Sequence, residues 1–223
     1  RKDYTPLYLA ASKGHTDIVK LLLDAGADKD VRNSANKTAL HPAASEGHTD
    51  IVKMLLGVGA DKEVKDKWEN TPLYTAVKKG HADVVKLLLD AGADKNTRGR
   101  SQAMTPLHIA AEKGHIEIVK MLLNKGADIE IENMRSYRPL HFATKKNHID
   151  IVKILLDAGA DKEVKNMMDG MTPLHLAASE GHTDVVKLLL DEGADKEVKD
   201  KWANTPLHLA ARKGHTDIVK LLE

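Results

Sequence analysis

The chain has 223 residues, with 34 Lys and Arg against 33 Asp and Glu, and a formal net charge of +1. Blocks of one sign are short, which argues against a nucleic-acid surface. No apolar run approaches the roughly 20 residues of a membrane-spanning helix. There is no cysteine, which excludes a disulfide framework, a cysteine-based zinc site and a thiol nucleophile. No signal-peptide pattern opens the sequence, so a soluble protein is expected.

One unit recurs from end to end, and its clearest copy is TPLHLAASEGHTDVVKLLLDEGAD at residues 172–195. Copies open at Thr5, Thr38, Thr71, Thr105, Arg138, Thr172 and Thr205, spaced by 33 or 34 residues. Each reads as two short helices. Thr172 is placed to accept from the free N–H groups of a first turn, and Pro173 suits the first helical position. Leu174, Ala177 and Ala178 mark one buried face, and Gly181 stops the helix. Val185, Val186, Leu189 and Leu190 mark the buried face of the second helix, and Gly193 closes it. With aromatics at only 3% of residues, Leu, Ile, Val and Ala stacked from unit to unit must supply the core.

The departures follow in chain order. Residues Arg1 to Tyr4 form a loop stub before the first unit. Unit two reads Thr38-Ala39-Leu40-His41-Pro42, with proline moved into the helix but still in its first turn. Unit five is the most deviant: Arg138 replaces the capping Thr, Phe142 follows His141, and Asn147 replaces the helix-ending Gly. Neither end carries a polar capping repeat, so fraying is expected at both. The connecting loops at 95–104 and 162–171 are one residue longer than the others, which accounts for the 34-residue spacings. If the turn two residues before each later opening needs φ > 0, that conformation falls on Asn36, Glu69, Ala103, Ser136, Gly170 and Ala203. Each non-glycine there costs about 1 kcal/mol unless the longer loops change turn type.

The 33-residue period and the Thr-Pro-Leu-His phrase identify the chain as resembling the ankyrin-repeat family over essentially its whole length. That resemblance implies an all-α fold: a single array over 1–223, a solenoid of seven helix-turn-helix units joined by β-hairpin finger loops. It also implies a binding scaffold with no catalytic residue.

All twelve histidines fall on two template positions. One follows Thr-x-Leu or its variant, as in His41, His108, His141, His175 and His208; the other follows the helix-ending Gly or Asn. Such repetition points to structural hydrogen bonding rather than to metal or acid–base work. No His-Glu-x-x-His, phosphate loop or Ser-His-Asp set is present. Neither catalysis nor a cofactor or metal is expected. Pairs such as Asp17/Lys20 and Asp184/Lys187 read as weak, solvated ion pairs on the outer helix faces.

The second helices are nearly identical between units, so the informative residues are those that vary. One varying row is the residue after the first-helix His with the pair three and four further on, as in Thr75/Lys78/Lys79, Ile109/Glu112/Lys113 and Phe142/Lys145/Lys146. The family resemblance places this row on a concave face, turned away from the core. The loop tips vary more, and five of the seven methionines lie on them: Met104, Met134, Met167, Met168 and Met171. Exposed Met, Tyr and Arg together are typical of recognition surfaces.

The candidate partner-binding residues are Tyr74, Lys78, Arg100, Gln102, Met104, Ile109, Met134, Arg135, Tyr137, Arg138, Phe142, Lys145, Lys146, Met167, Met168 and Met171. Trp68 ranks lower, because Trp68 and Trp202 share one repeated phrase. With helix layers about 10 Å apart, loops three to five span about 30 Å, enough for a folded protein epitope. The lysines favour an acidic one.

The uniform frame, the lack of cysteine and divergence on one face resemble designed ankyrin-repeat binders selected from a library, monomeric alone and recombinant. The alternative is a natural, cytoplasmic array of recently duplicated repeats that binds an extended or modified peptide. A methyl-lysine held by Tyr74 and Trp68 is one such ligand. A purely structural array with no partner is a third reading.

Overall fold

The computed structural model describes residues 4–223, so all but Tyr4 of the expected loop stub lies outside the described residues. Fourteen helices appear among them, in seven pairs. These are α1 (Pro6–Lys13) with α2 (Thr16–Asp24), α3 (Leu40–Glu46) with α4 (Thr49–Gly57), and α5 (Pro72–Lys79) with α6 (Ala82–Asp90). Then come α7 (Pro106–Lys113) with α8 (Ile116–Asn124), α9 (Pro139–Lys145) with α10 (Ile149–Asp157), α11 (Pro173–Glu180) with α12 (Thr183–Asp191), and α13 (Pro206–Lys213) with α14 (Thr216–Leu222). The fold class is all-α.

The chain divides into two compact units: residues up to 106 with 124–127, and residues 107–123 with 128–223. In the first, α1, α3 and α5 pack in sequence as one layer, and α2, α4 and α6 as a second. In the second, α9, α11 and α13 form one layer and α10, α12 and α14 the other. Helices of seven to nine residues are too short to persist alone. Burial between layers holds them, through Leu40, Ala43 and Ala44 of α3 and Ile51, Val52 and Leu55 of α4, each at most 1% exposed. The Leu/Ala/Ala and Val/Leu faces are the core that the repeat spacing predicts.

The caps explain the repeated phrase. Thr5 Oγ1 accepts from Tyr8 N at 3.1 Å, and Thr71 Oγ1 from Tyr74 N at 3.2 Å. Where His stands three residues after the repeat's opening residue, its Nδ1 accepts from the backbone N–H of that residue: Thr38, Arg138, Thr172 and Thr205 all donate in this way, at 3.0 to 3.3 Å. This is a capping box with imidazole in the place of Glu or Gln. It works at Arg138 even though that side chain has no acceptor to offer. Pro42, the third residue of α3, has no N–H to make the bond to the cap carbonyl that Leu9, Thr75, Leu176 and Leu209 make at the same place in their repeats, and His41 N donates to Thr38 O at 3.1 Å instead.

The fingers between pairs are tight turns. Asn33, Asp66, Asn133 and Asp200 each turn a carboxyl or amide oxygen onto the N–H groups two and four residues on, at 2.8 to 3.0 Å. This Asx-turn chemistry fixes the tips. The left-handed residue falls where expected, with φ 59° at Asn36, 60° at Glu69, 52° at Ala103, 53° at Ser136, 68° at Gly170 and 60° at Ala203. The two longer loops differ in how they meet that demand. Finger three makes two successive left-handed residues, Gln102 and Ala103, whereas finger five places its glycine there. Asn147 also takes φ 58°, reproducing the helix stop of the glycine it replaces.

One expectation is corrected. The residue after the first-helix His does not turn away from the core: Ile109 and Leu176 are 4% exposed, Leu209 is fully covered and Pro42 is buried. Within each unit the first helices lie side by side, and that contact covers a flank which an isolated helix would leave open. Leu9 of α1 alone among the leucines at this position is exposed. The pair three and four residues further on behaves as expected, with Lys78, Lys79, Lys145 and Lys146 exposed.

Candidate functional site

The two histidine classes are structural ties that run in opposite directions. Three of those capping first helices donate from Nε2 to the next finger: His108 to the Tyr137 carbonyl at 2.9 Å, His141 to Val164 at 3.2 Å and His175 to Asn204 at 3.1 Å. Five of those after the helix stop donate backwards, as His81 does to Ser45 at 2.9 Å and His215 to Ser179 at 3.2 Å. Burial drives the pKa of His41 and His141 down to about 4, so both rings are neutral near pH 7. Among the described residues, no group of three or more His, Asp or Glu is placed to hold a metal ion.

The varying residues form one patch in each unit. In the first, a groove of about 610 Å³ is lined by Lys37, Trp68, Tyr74, Lys78, Lys79 and Arg100 among others. Trp68 is 54% exposed. Its ring faces the Lys37 ammonium at 5.2 Å, and that ammonium also lies 3.7 Å from the nearly buried Asp66 carboxylate. Tyr74 lines the groove but exposes only 3% of its surface. It packs so closely on finger three that a Cβ on Gly99 would stand 2.9 Å from its ring. Tyr74 is thus a wall, not a projecting anchor. Gln102 and Arg100 project on the same finger, while Met104 is 6% exposed and anchors the finger inward. Sequence reasoning missed Lys37, and it named Lys79 only as one of the varying row. Only the fold brings Lys37 to Trp68 and sets Lys79 on the same groove.

In the second unit the fourth and fifth fingers stand side by side, because Met167 N donates to the Arg135 carbonyl at 3.1 Å. Their tips expose Met134 by 72%, Met167 by 66% and Met168 by 49%, with Arg135 exposed between them. The fifth finger is joined in turn to the sixth, Lys201 N donating to Asp169 O at 3.0 Å, and Trp202 is exposed there. Met171 is half-buried at the base of its finger, and Ile109 belongs to the core.

Beneath these tips lies an aromatic cluster. Tyr137 stands 5.6 Å from Phe142 and 5.3 Å from His141, and Phe142 meets His108 edge-on at 5.6 Å. Both Tyr137 and Phe142 are half-buried, and burial pushes the Tyr137 phenol up. Arg138 pairs with Glu130 and with Glu132, the latter at 3.1 Å. Its guanidinium is therefore committed within the chain, which takes it out of the role of a free anchor. A hydrogen bond from Ser136, and then the Arg138 pairing, hold the Glu132 carboxyl below its usual range.

No helix among the described residues is long and apolar enough to cross a membrane. Residues 1–66, 29–99, 48–133, 98–166 and 140–223 match the family profile described as Ankyrin repeats (3 copies). The crystal structure of the human ASB11 ankyrin repeat domain resembles the chain with a TM-score of 0.87 and 31% identity, over 99% of this chain and 98% of that one. A stretch of 35 residues, 16% of the chain, is 60% identical to the probable E3 ubiquitin-protein ligase XBOS33 of Oryza sativa subsp. japonica. The matched stretch spans 7% of that protein's length.

Proposed function

The chain belongs to the ankyrin-repeat family, whose repeats are protein–protein interaction scaffolds, and from that premise we propose a non-catalytic array that holds a folded protein partner on its finger tips. The observation that carries this reading is the run of exposed Met134, Met167 and Met168 beside Arg135, on fingers fixed by Asx turns and backbone bonds. Flexible thioethers on a rigid base offer apolar contact at little ordering cost, and Arg135 adds a directional donor. Lys145 and Lys146, exposed at the end of α9 and just beyond it, give the same unit a positive edge that favours an acidic epitope. The repeats are read as one array over 1–223, monomeric by itself, with no nucleic-acid partner.

Affinity capture with quantitative mass spectrometry tests this. Met134→Ser, Met167→Ser and Met168→Ser combined should lose the captured partner, while reversing the exposed charges Lys153 and Lys187 on the second helices should not. The opposite pattern would move the interface to the backs of the second helices.

Two further readings are weighed by the structure. A methyl-lysine cage at Trp68 and Tyr74 is disfavoured, because Lys37 already covers a face of Trp68 and Tyr74 is buried. As to origin, the departures are not confined to the exposed face. Ala39, Arg138 and Asn147 alter helix starts and stops, frame positions that a selected library would keep constant. They favour natural duplication followed by drift over engineering, and with it a reducing compartment such as the cytoplasm for a chain without cysteine.

A further inference from the structure

The groove of the first unit is a separate candidate from the methionine tips, and its electrostatics set what it takes. Asp66, its carboxylate, is 4% exposed and fully engaged: it accepts from Trp68 N and Asn70 N at 2.9 Å, and Lys37 stands 3.7 Å away. The charges of Lys37 and Asp66 therefore cancel. Lys78, Lys79 and Arg100 remain, all exposed, and none of them makes an ion pair among the described residues. Three uncompensated cations around a concavity of about 610 Å³ focus a positive potential into it. The two lysines are held at the last turn of α5, where the carbonyl ends of the helix favour cations. At the mouth, Trp68 keeps 54% of its surface open for an apolar contact beside the charges.

We infer that this groove is a docking site for an acidic peptide segment of the partner, its carboxylates meeting Lys78, Lys79 and Arg100 and an apolar side chain lying on Trp68. The inference rests on the scaffold reading above and gives that reading a second contact, one that selects partner chemistry by charge. A cationic segment is repelled by the same three groups.

Trp68 reports on its own groove once Trp202 is replaced, since the chain has two tryptophans. In a W202F background, Trp68 emission is titrated with a hexapeptide of alternating glutamate and leucine. A saturable change is expected, weakened more than tenfold by K78A/K79A/R100A and by raising salt from 50 to 500 mM, and left within twofold by K153A/K187A. An alternating lysine and leucine hexapeptide should give no saturable change. The inference is overturned by no saturation with the glutamate peptide, by equal binding in the triple variant, or by equal response to the lysine peptide. A phosphoserine peptide that binds more than tenfold tighter than the glutamate one would overturn the carboxylate assignment in favour of phosphate. Failure here with partner capture by the methionine tips intact would sink the groove alone. Loss of capture in the methionine variant bears on the scaffold reading and not on the groove.

Discussion

The imidazole of His81 lies against Gly47, and a Cβ placed on that glycine would stand 2.7 Å from its Nδ1. Thirty-four residues separate the two, and the ring's Nε2 reaches past the glycine to the Ser45 carbonyl at 2.9 Å. The same seat recurs at Gly14 under His48, Gly114 under His148 and Gly181 under His215. The Gly-His phrase is therefore an interlock between consecutive repeats: glycine leaves the space, and the histidine of the next repeat fills it.

A comparison of two glycines isolates that interlock. Gly47 and Gly59 have nearly equal φ, 74° and 75°, but Gly59 has nothing within 4 Å of its would-be Cβ. Gly59→Ala should cost about 1 kcal/mol, the strain of a left-handed alanine. Gly47→Ala should cost a further 1–3 kcal/mol, because the ring has to shift and its hydrogen bond is lost. Urea denaturation of both variants, with and without His81→Ala, checks this. If the excess persists once the imidazole is gone, the interlock is not its source.

Acid should loosen the array through the buried histidines. His141 Nδ1 accepts from Arg138 N while Nε2 donates to Val164 O, an arrangement that only the neutral ring satisfies. Its pKa and that of His41 stand at about 4 against an ordinary 6.5, burial being the main cause. The unfolded chain thus takes up protons first as pH falls. The stability these rings contribute is complete above pH 6.5 and is lost between 6.5 and about 4. Between pH 6.5 and 5 each should account for about 2 kcal/mol. Urea midpoints across that range should fall for the parent chain and fall less steeply for His141→Gln. An unchanged slope in that variant would exclude the ring as the proton-linked group.

The finger turns offer gains as well as losses. Glu69 and Ala203 hold φ near 60° with side chains that disfavour it, so Glu69→Gly and Ala203→Gly should each stabilise by about 1 kcal/mol. Gly170→Ala should destabilise by more than that, since its Cβ would stand 3.0 Å from Lys201 Cγ and 3.1 Å from the Lys201 nitrogen. Thermal unfolding of the three variants sets the order. A destabilised Ala203→Gly would mean that the turn tolerates alanine without strain.

How much of this the sequence disclosed depended on whether a residue acts within its own repeat or across two. The Thr cap, the Leu/Ala/Ala face and the left-handed turn at Ala203 are local, and the 33-residue spacing displays each several times over. What failed depended on neighbours. Ile109 and Leu209 look outward on a lone helix and are covered by the packing around it. Tyr74 reads as a projecting aromatic until Gly99 of the next finger closes on its ring. Arg138 reads as a free cation, yet Glu130 and Glu132 of its own finger already hold it. Lys37 gave no signal at all, because its meaning lies in Trp68 and Asp66, about thirty residues on.

The second unit separates binding from packing most sharply. Met134, Met167 and Met168 are 72%, 66% and 49% exposed, so their replacement by serine removes contact area without opening a cavity. The melting temperature of the triple variant should stay within about 2 °C of the parent, since exposed substitutions usually lie within about 0.5 kcal/mol. Phe142 and Tyr137 differ, because their rings pack on His108, His141 and each other beneath the tips. Alanine at both should cost about 2–4 kcal/mol and visibly lower the melting curve. Partner capture should fall in both variants. In the serine variant the loss is of contact, with hydrogen–deuterium exchange of fingers four and five unchanged. In the aromatic variant it accompanies faster exchange at those fingers, because the base that holds them has loosened. If the methionine variant were to exchange faster as well, the tips would be part of the frame, and their exposure would not mark a binding surface.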